Sequence, residues 1–266
     1  MSLPLFQALD RLDDHLKDPV RIQRWAGGAC NRVFRLTDAE RTLALRLNRA
    51  DTDRLGVVRR RETDILKTVQ GRPWAPEVVA IDDDGLLTAW VEGQSPASGD
   101  KTDLDWLVQA LTEVHAETPD VGVLNMAEQI RHLMEQGPPL ESAIAQALHR
   151  HCDAYRLPAS LTLCHHDWHP GNIVTTRRGW VLLDWEFAAL GDPVMDVAAA
   201  CQGFELDAAQ IEHLAGRLTL DEDRLRQALC LMEAVALVWY RANPESAQQA
   251  DASADAWFQR WSDVRF

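Results

Sequence analysis

No stretch of the 266-residue chain is apolar for long enough to span a bilayer, so no membrane partner is expected. Residues Met1 to Asp10 have neither the basic start nor the apolar run of a secretory signal. Cysteine is scarce and unpatterned: five residues, at 30, 152, 164, 201 and 230, with no CxxC pair. That count excludes a disulfide frame and a zinc ribbon, and it predicts free thiols in a reducing, cytoplasmic compartment. Basic residues are outnumbered, 27 against 41, giving a net charge of −14. Nucleic acid and anionic membrane, which would call for a basic patch, are therefore not expected partners. The acidity serves solubility first, and it also suits a cationic substrate. Lysine occurs three times, at 17, 67 and 101. There is no internal repeat, no low-complexity tract and no sign of an obligate protein partner.

What is present divides into two styles of pattern. Ile22 to Trp25 and Val33 to Leu36 read as strands around the turn Gly27-Gly28. Thr42 to Leu47 alternates, with Leu43, Leu45 and Leu47 on one face and Thr42, Ala44 and Arg46 on the other. Residues 3–16 read as a short helix, and 54–70 as a longer one with Val58, Glu62, Ile65, Leu66 and Val69 on one face, stopped by Gly71 and Pro73. Val78 to Ile81 and Leu86 to Val91 read as a hairpin around Asp82-Asp83-Asp84-Gly85. Glu92 to Asp100, rich in Gly, Pro and Ser, reads as a linker. Beyond it helical spacing dominates, over 102–117, 124–136, 140–155, 193–203, 207–217, 221–241 and 245–262. The predicted class is α+β: a small N-terminal sheet with one helix (1–92), then a larger, mostly helical part (93–266).

The exception in the helical part is 161–184, where short apolar runs alternate with loops. Here the chain reads Cys164-His165-His166-Asp167-Trp168-His169-Pro170-Gly171-Asn172, then Val181-Leu182-Leu183-Asp184-Trp185-Glu186. Phosphoryl transfer needs a base for the attacking hydroxyl and oxygen ligands for the Mg²⁺ that neutralises the phosphates. Asp167 is the candidate base. Asn172 and Asp184 are the candidate Mg²⁺ ligands. His165 joins Asp167 in the candidate catalytic loop, shaping it rather than reacting. Any one of these residues alone is an ordinary turn former; the complete order, with an apolar strand before Asp184, is specific. A zinc reading competes on Cys164, His165, His166 and His169, and Pro170-Gly171 argues against the continuous helix it would want.

Residues 165–196 resemble the catalytic segment of the aminoglycoside phosphotransferase and choline kinase superfamily. Asp184-Trp185-Glu186, Gly191-Asp192-Pro193 and Asp196 resemble its choline, ethanolamine and thiamine kinase branch. The resemblance implies a bilobal, protein-kinase-like fold, with residues 1–92 as the nucleotide-binding lobe. It implies ATP and Mg²⁺ as cofactors and a small-molecule alcohol as substrate. It implies that Gly27, Gly28 and Asn31 belong to the phosphate-covering turn. It places Arg46 where the family has lysine on the third strand, with Glu62 as its helix partner. Arginine carries the same charge with a different geometry. Trp90-Val91-Glu92-Gly93 falls at the lobe junction. Asp192 reads as a helix N-cap, and the resemblance makes Asp196 a structural brace of the catalytic loop.

Ten tryptophans invite two readings, core packing or a cage for a cation. In the second, Glu186, Trp185 and Trp239 are the substrate residues, with Trp168 and Tyr240 adding ring faces. The leading expectation is a kinase for a small, cationic alcohol such as thiamine or choline. Behind it stand an aminoglycoside or amino-sugar phosphotransferase, an inactive kinase fold that binds nucleotide or a partner, and a helical interaction protein with a loop of coincidental spacing.

Overall fold

Alternation of leucine with small or polar residues builds the sheet. The computed structural model describes residues 5–25, 31–49, 51–96, 104–243 and 247–266. In it β1 (Arg21–Arg24), β2 (Arg32–Thr37), β3 (Thr42–Leu47), β4 (Val78–Ile81) and β5 (Gly85–Ala89) pair antiparallel in the order β1-β2-β3-β5-β4. On β3, Leu43, Leu45 and Leu47 pack with Leu36, Leu87 and Ala8, the last from α1 (Leu5–Arg11). The other face sends Ala44 and Arg46 into a cleft. The β4–β5 turn closes on Asp82, whose Oδ1 accepts the amides of Asp84 and Gly85, each at 2.9 Å.

The helix read over 54–70 begins later, as α2 (Arg59–Val69). Thr52–Leu55 is a separate 3₁₀ turn, ended by Gly56 at φ 86°. That left-handed backbone suits glycine, and a Cβ there would lie 2.2 Å from the Gln129 side chain. α2 buries Glu62, Ile65, Leu66 and Val69.

The second part is mostly helical: α3 (Asp105–His115), α4 (Met126–Gln136), α5 (Ser142–Ala154), α6 (Pro193–Gly203), α7 (Ala208–Leu218), α8 (Glu222–Ala242) and α9 (Ala247–Trp261). α8 packs against α4, α6 and α9. Asn125, Asp192, Asp207 and Asp221 cap α4, α6, α7 and α8 as side-chain acceptors. Two ribbons carry the loops, β6 (Thr162–Cys164) with β9 (Ala189–Gly191) and β7 (Ile173–Thr176) with β8 (Gly179–Leu182). β9 leaves no signal in the sequence, because Ala-Leu-Gly is too short to show alternation.

The stretch read as a linker is fixed as far as it is described. Gln94 and Thr175 exchange both backbone hydrogen bonds, at 3.1 and 2.8 Å. Gly93 lies so close to this contact that a Cβ would sit 2.1 Å from the Thr175 carbonyl oxygen. Below it the larger core runs across the junction: Ile65, Leu66, Val69, Trp74 and Leu86 belong to the same buried cluster as the helices. Among the described residues no helix is long and apolar enough to cross a membrane, and Cys152, Cys164, Cys201 and Cys230 are buried free thiols.

Candidate active site

The loop after β6 is hung on α6. Asp196, 0% exposed, accepts the backbone amides of His165 (2.9 Å) and His166 (2.7 Å) and lies 3.1 Å from Nε2 of His115. Burial opposes its charge, but the hydrogen bond and charge from His115 outweigh it and hold the carboxyl far below its usual range. His165 is fully buried, its Nε2 2.9 Å from the Leu183 carbonyl, and burial lowers its pKa. The contact ties the loop to the strand end before Asp184.

That tie directs Asp167 and Asn172 into the cleft. Asn172 Nδ2 donates to the Asp167 carbonyl (3.0 Å) and to its Oδ2 (2.8 Å). His169 Nε2 stands 3.6 Å from the same Oδ2, while its Nδ1 accepts the Gly171 amide. Burial pushes the Asp167 pKa up, yet His169, the charge of His165 and the hydrogen bond from Asn172 prevail and leave it lowered. Asp167 is thus an ionised acceptor at neutral pH, 39% exposed in its side chain. The Asn172 side chain gives both of its bonds through Nδ2, which leaves its carbonyl oxygen as the available ligand atom.

Asp184 takes a left-handed backbone, φ 58°, a conformation costing a non-glycine residue about 1–3 kcal/mol that the surrounding packing must hold. Its Oδ1 accepts from Arg46 Nη1 at 2.6 Å, and Arg46 Nη2 donates to Glu62 Oε2 at 2.7 Å. The sequence pairing of Arg46 with Glu62 is therefore present, extended by a third member. Burial raises the Asp184 pKa, with Glu62 and Asp167 adding to it against Arg46. At Glu62 burial also pushes up, but Arg46 and Arg59 outweigh it and the carboxyl is lowered.

Other expected site residues are placed differently. Gly27 and Gly28 lie outside the described residues. Asn31 donates Nδ2 to Glu186 Oε2 at 3.0 Å, and the same oxygen is 3.0 Å from Arg59 Nη1. Glu186 therefore faces the sheet side of the junction, 2% exposed, instead of standing free for a cationic substrate. Burial, then the Asp184 charge, pushes its pKa up to about 7 against Arg46 and Arg59. Trp185 is a packing residue: 1% exposed, its indole N–H given to Leu182 at 2.9 Å and its ring stacked on Trp74. Trp74 also stacks on Trp180, and Trp180 meets Trp168, so these four rings form one wall under the loop. Trp239 and Tyr240 border the cleft, edge to face at 5.7 Å. With Met232, Val235 and Ala236 they form one helical stripe of α8.

The zinc quartet does not assemble. Cys164 and His165 are buried, His166 Nδ1 lies 3.3 Å from the Phe187 carbonyl, and His169 is engaged with Asp167 and Gly171. Among the described residues a different trio, His115, Cys164 and Asp196, comes together, but Asp196 is already committed to two amides and His115. Two partners escaped sequence reading. His115 carries no local signal; Arg59, three residues before Glu62 on one helix face, had the spacing of an ion pair.

The cleft, about 1060 Å³, runs between these groups, with Val33, Ala44, Leu86, Thr88 and Trp90 on the sheet side. The family described as "Phosphotransferase enzyme family" matches residues 21–228. Curated proteins give no match. Solved structures do. Choline kinase LicA from Streptococcus pneumoniae superposes with TM-score 0.78 at 17% identity, over 96% of each chain, and its complex with AMP gives the same TM-score. A choline/ethanolamine kinase family protein from Mesorhizobium loti gives 0.70 at 19% identity, over 90% of this chain and 86% of that one. The gentamicin complex of APH(2")-IIa gives 0.72 at 12% identity, over 99% and 98%.

Proposed function

The chain belongs to the phosphotransferase enzyme family, and from that premise we propose that it transfers the γ-phosphate of ATP to the hydroxyl of a small, cationic metabolite. The observation that carries this reading is the convergence on one cleft of Asp167, Asn172 and Asp184 with the buried pair Arg46–Glu62. Residues 1–92 serve as the nucleotide lobe and 93–266 as the catalytic and substrate lobe. Asp167 accepts the proton of the attacking hydroxyl, and Arg46 supplies a permanent cation at the phosphate end. Asn172 and Asp184 offer hard oxygen atoms, a donor set that fits Mg²⁺, and they would hold it. The metal, when bound, neutralises charge on the transferring phosphate. Buried thiols without a disulfide among the described residues support a cytoplasmic setting.

Removing either ligand should raise the Mg²⁺ requirement. In Asp184→Ala and Asn172→Ala the Mg²⁺ concentration giving half-maximal rate is expected to rise about tenfold or more, since few groups replace an oxygen ligand of this ion. Unchanged Mg²⁺ titrations in both variants would place the metal elsewhere.

For the substrate, the cleft favours a small molecule with one cationic or aromatic body over a polyamine. Beyond the catalytic loop and the Asp184–Glu186 turn, the described lining residues that α4, α6 and α8 contribute, among them Gln129, Gln202, Trp239 and Tyr240, include no carboxylate. With Glu186 bound to Arg59 and Asn31, a cation would rest on ring faces, each contact contributing about 0.5–2 kcal/mol. Thiamine is placed ahead of choline, and both ahead of neutral sugars. Measured kcat/KM over thiamine, choline, ethanolamine, an aminoglycoside, N-acetylglucosamine and a neutral polyol tests this order. A clear preference for a neutral sugar would defeat the cation reading, and preference for the aminoglycoside would move the substrate to the other branch.

A further inference from the structure

Arg59 opens α2, does not line the cleft, and has a side chain only 12% exposed. Its Nη1 is 3.0 Å from Oε2 of Glu62 and 3.0 Å from Oε2 of Glu186. Its Nη2 is 3.4 Å from Oδ1 of Asn31 and 3.3 Å from Oγ1 of Thr52. Acidic and basic groups therefore alternate along one row: Asp184, Arg46, Glu62, Arg59, Glu186. Three carboxylates share two guanidiniums. Take Arg59 away and three buried or half-buried carboxylates face one cation, at the place where the triphosphate must dock. Uncompensated buried charge is strongly unfavourable, and here its excess is of the sign that repels phosphate. Glu62 would also lose one of the two donors that fix its Oε2, and Arg46 is aimed by that oxygen.

We infer that Arg59 is a positioning residue for the phosphate end of the nucleotide, holding Glu62 on Arg46 and joining Glu186 and Asn31 into the same alternating row. The inference rests on the proposed ATP reading. It assigns Arg59 no contact with substrate; its effect passes through Arg46 and Glu186. An arginine fits this place because one planar fork reaches two carboxylates and two neutral acceptors at once.

The alternative is that Arg59 merely ties the sheet side to the helical side, and the two roles separate by ligand. Calorimetric titration of the full chain with Mg·ATP and with adenosine is the test. In Arg59→Met, which keeps the apolar stem, Mg·ATP affinity is expected to fall about tenfold or more while adenosine affinity stays within about twofold. Arg59→Lys should recover Mg·ATP binding to within about threefold of the natural chain, since one cation is restored without the fork. Mg·ATP binding within about twofold of the natural chain in Arg59→Met would overturn the inference, as would an equal loss of adenosine, the sign of a purely structural role. A natural chain that binds neither ligand would instead reject the nucleotide reading beneath it.

Discussion

Asp167→Asn is expected to lower phosphate transfer by about 100- to 10,000-fold, the range for loss of a positioned general base. The change is nearly isosteric. Asn172 Nδ2 still finds an oxygen at residue 167 and still donates to its carbonyl, so the loop keeps its shape. What disappears is the negative charge that His169 and Asn172 stabilise and that takes the hydroxyl proton. ATP binding and thermal midpoint should therefore match the natural chain while kcat collapses. Turnover within a few-fold of the natural chain would remove Asp167 from the base role, and loss of the folded state would make it a structural aspartate.

Arg46→Ala should be nearly as damaging, by a different route. Arg46 is 7% exposed and bonds two carboxylates, Glu62 at 2.7 Å and Asp184 at 2.6 Å. Burial opposes its charge, but Glu62 and Asp184 more than compensate and raise its pKa. Removing one partner of such a buried pair costs about 3–5 kcal/mol. Both the melting temperature and ATP affinity should then fall, with activity down about 100-fold or more, as expected when a phosphate-binding cation is lost. Arg46→Lys should keep much of the activity, because a cation on that strand face is the required element, though an ammonium lacks the fork that spans both carboxylates. The discriminating quantity is ATP affinity: an unchanged value in Arg46→Ala would show that Arg46 does not serve the nucleotide.

The parts that sequence conveys are those written in local periodicity. Leucines at 43, 45 and 47 told which face of β3 was core, and so which face carried Arg46. Glu62 on an apolar helix face announced a buried partner. Asp192 before Pro193 announced a helix start, and its Oδ1 accepts the Val194 amide at 3.2 Å. What escaped depends on distance in space. Glu186 looked free for substrate because nothing near it in the chain shows that Asn31 and Arg59, 155 and 127 residues away, close on its carboxylate. For Trp185 the two readings, core or ligand ring, stay open in the sequence, because its stacking on Trp74 is a long-range contact. His115 reaches Asp196 across 81 residues. The run at 92–100 reads as a linker from its composition, whereas Gln94 within it pairs by backbone with Thr175.

Transfer of a phosphoryl group from ATP to an alcohol under the control of Asp167 can be followed on the γ-phosphate itself. The chain is incubated with Mg²⁺ and ATP labelled at the γ-position, together with the best acceptor from the alcohol panel, and the labelled products are separated. Label is expected in a phosphate monoester of the acceptor, in step with ADP formation, with a signal near background in Asp167→Asn. Label found only in inorganic phosphate, or equal transfer by the natural chain and Asp167→Asn, would contradict it.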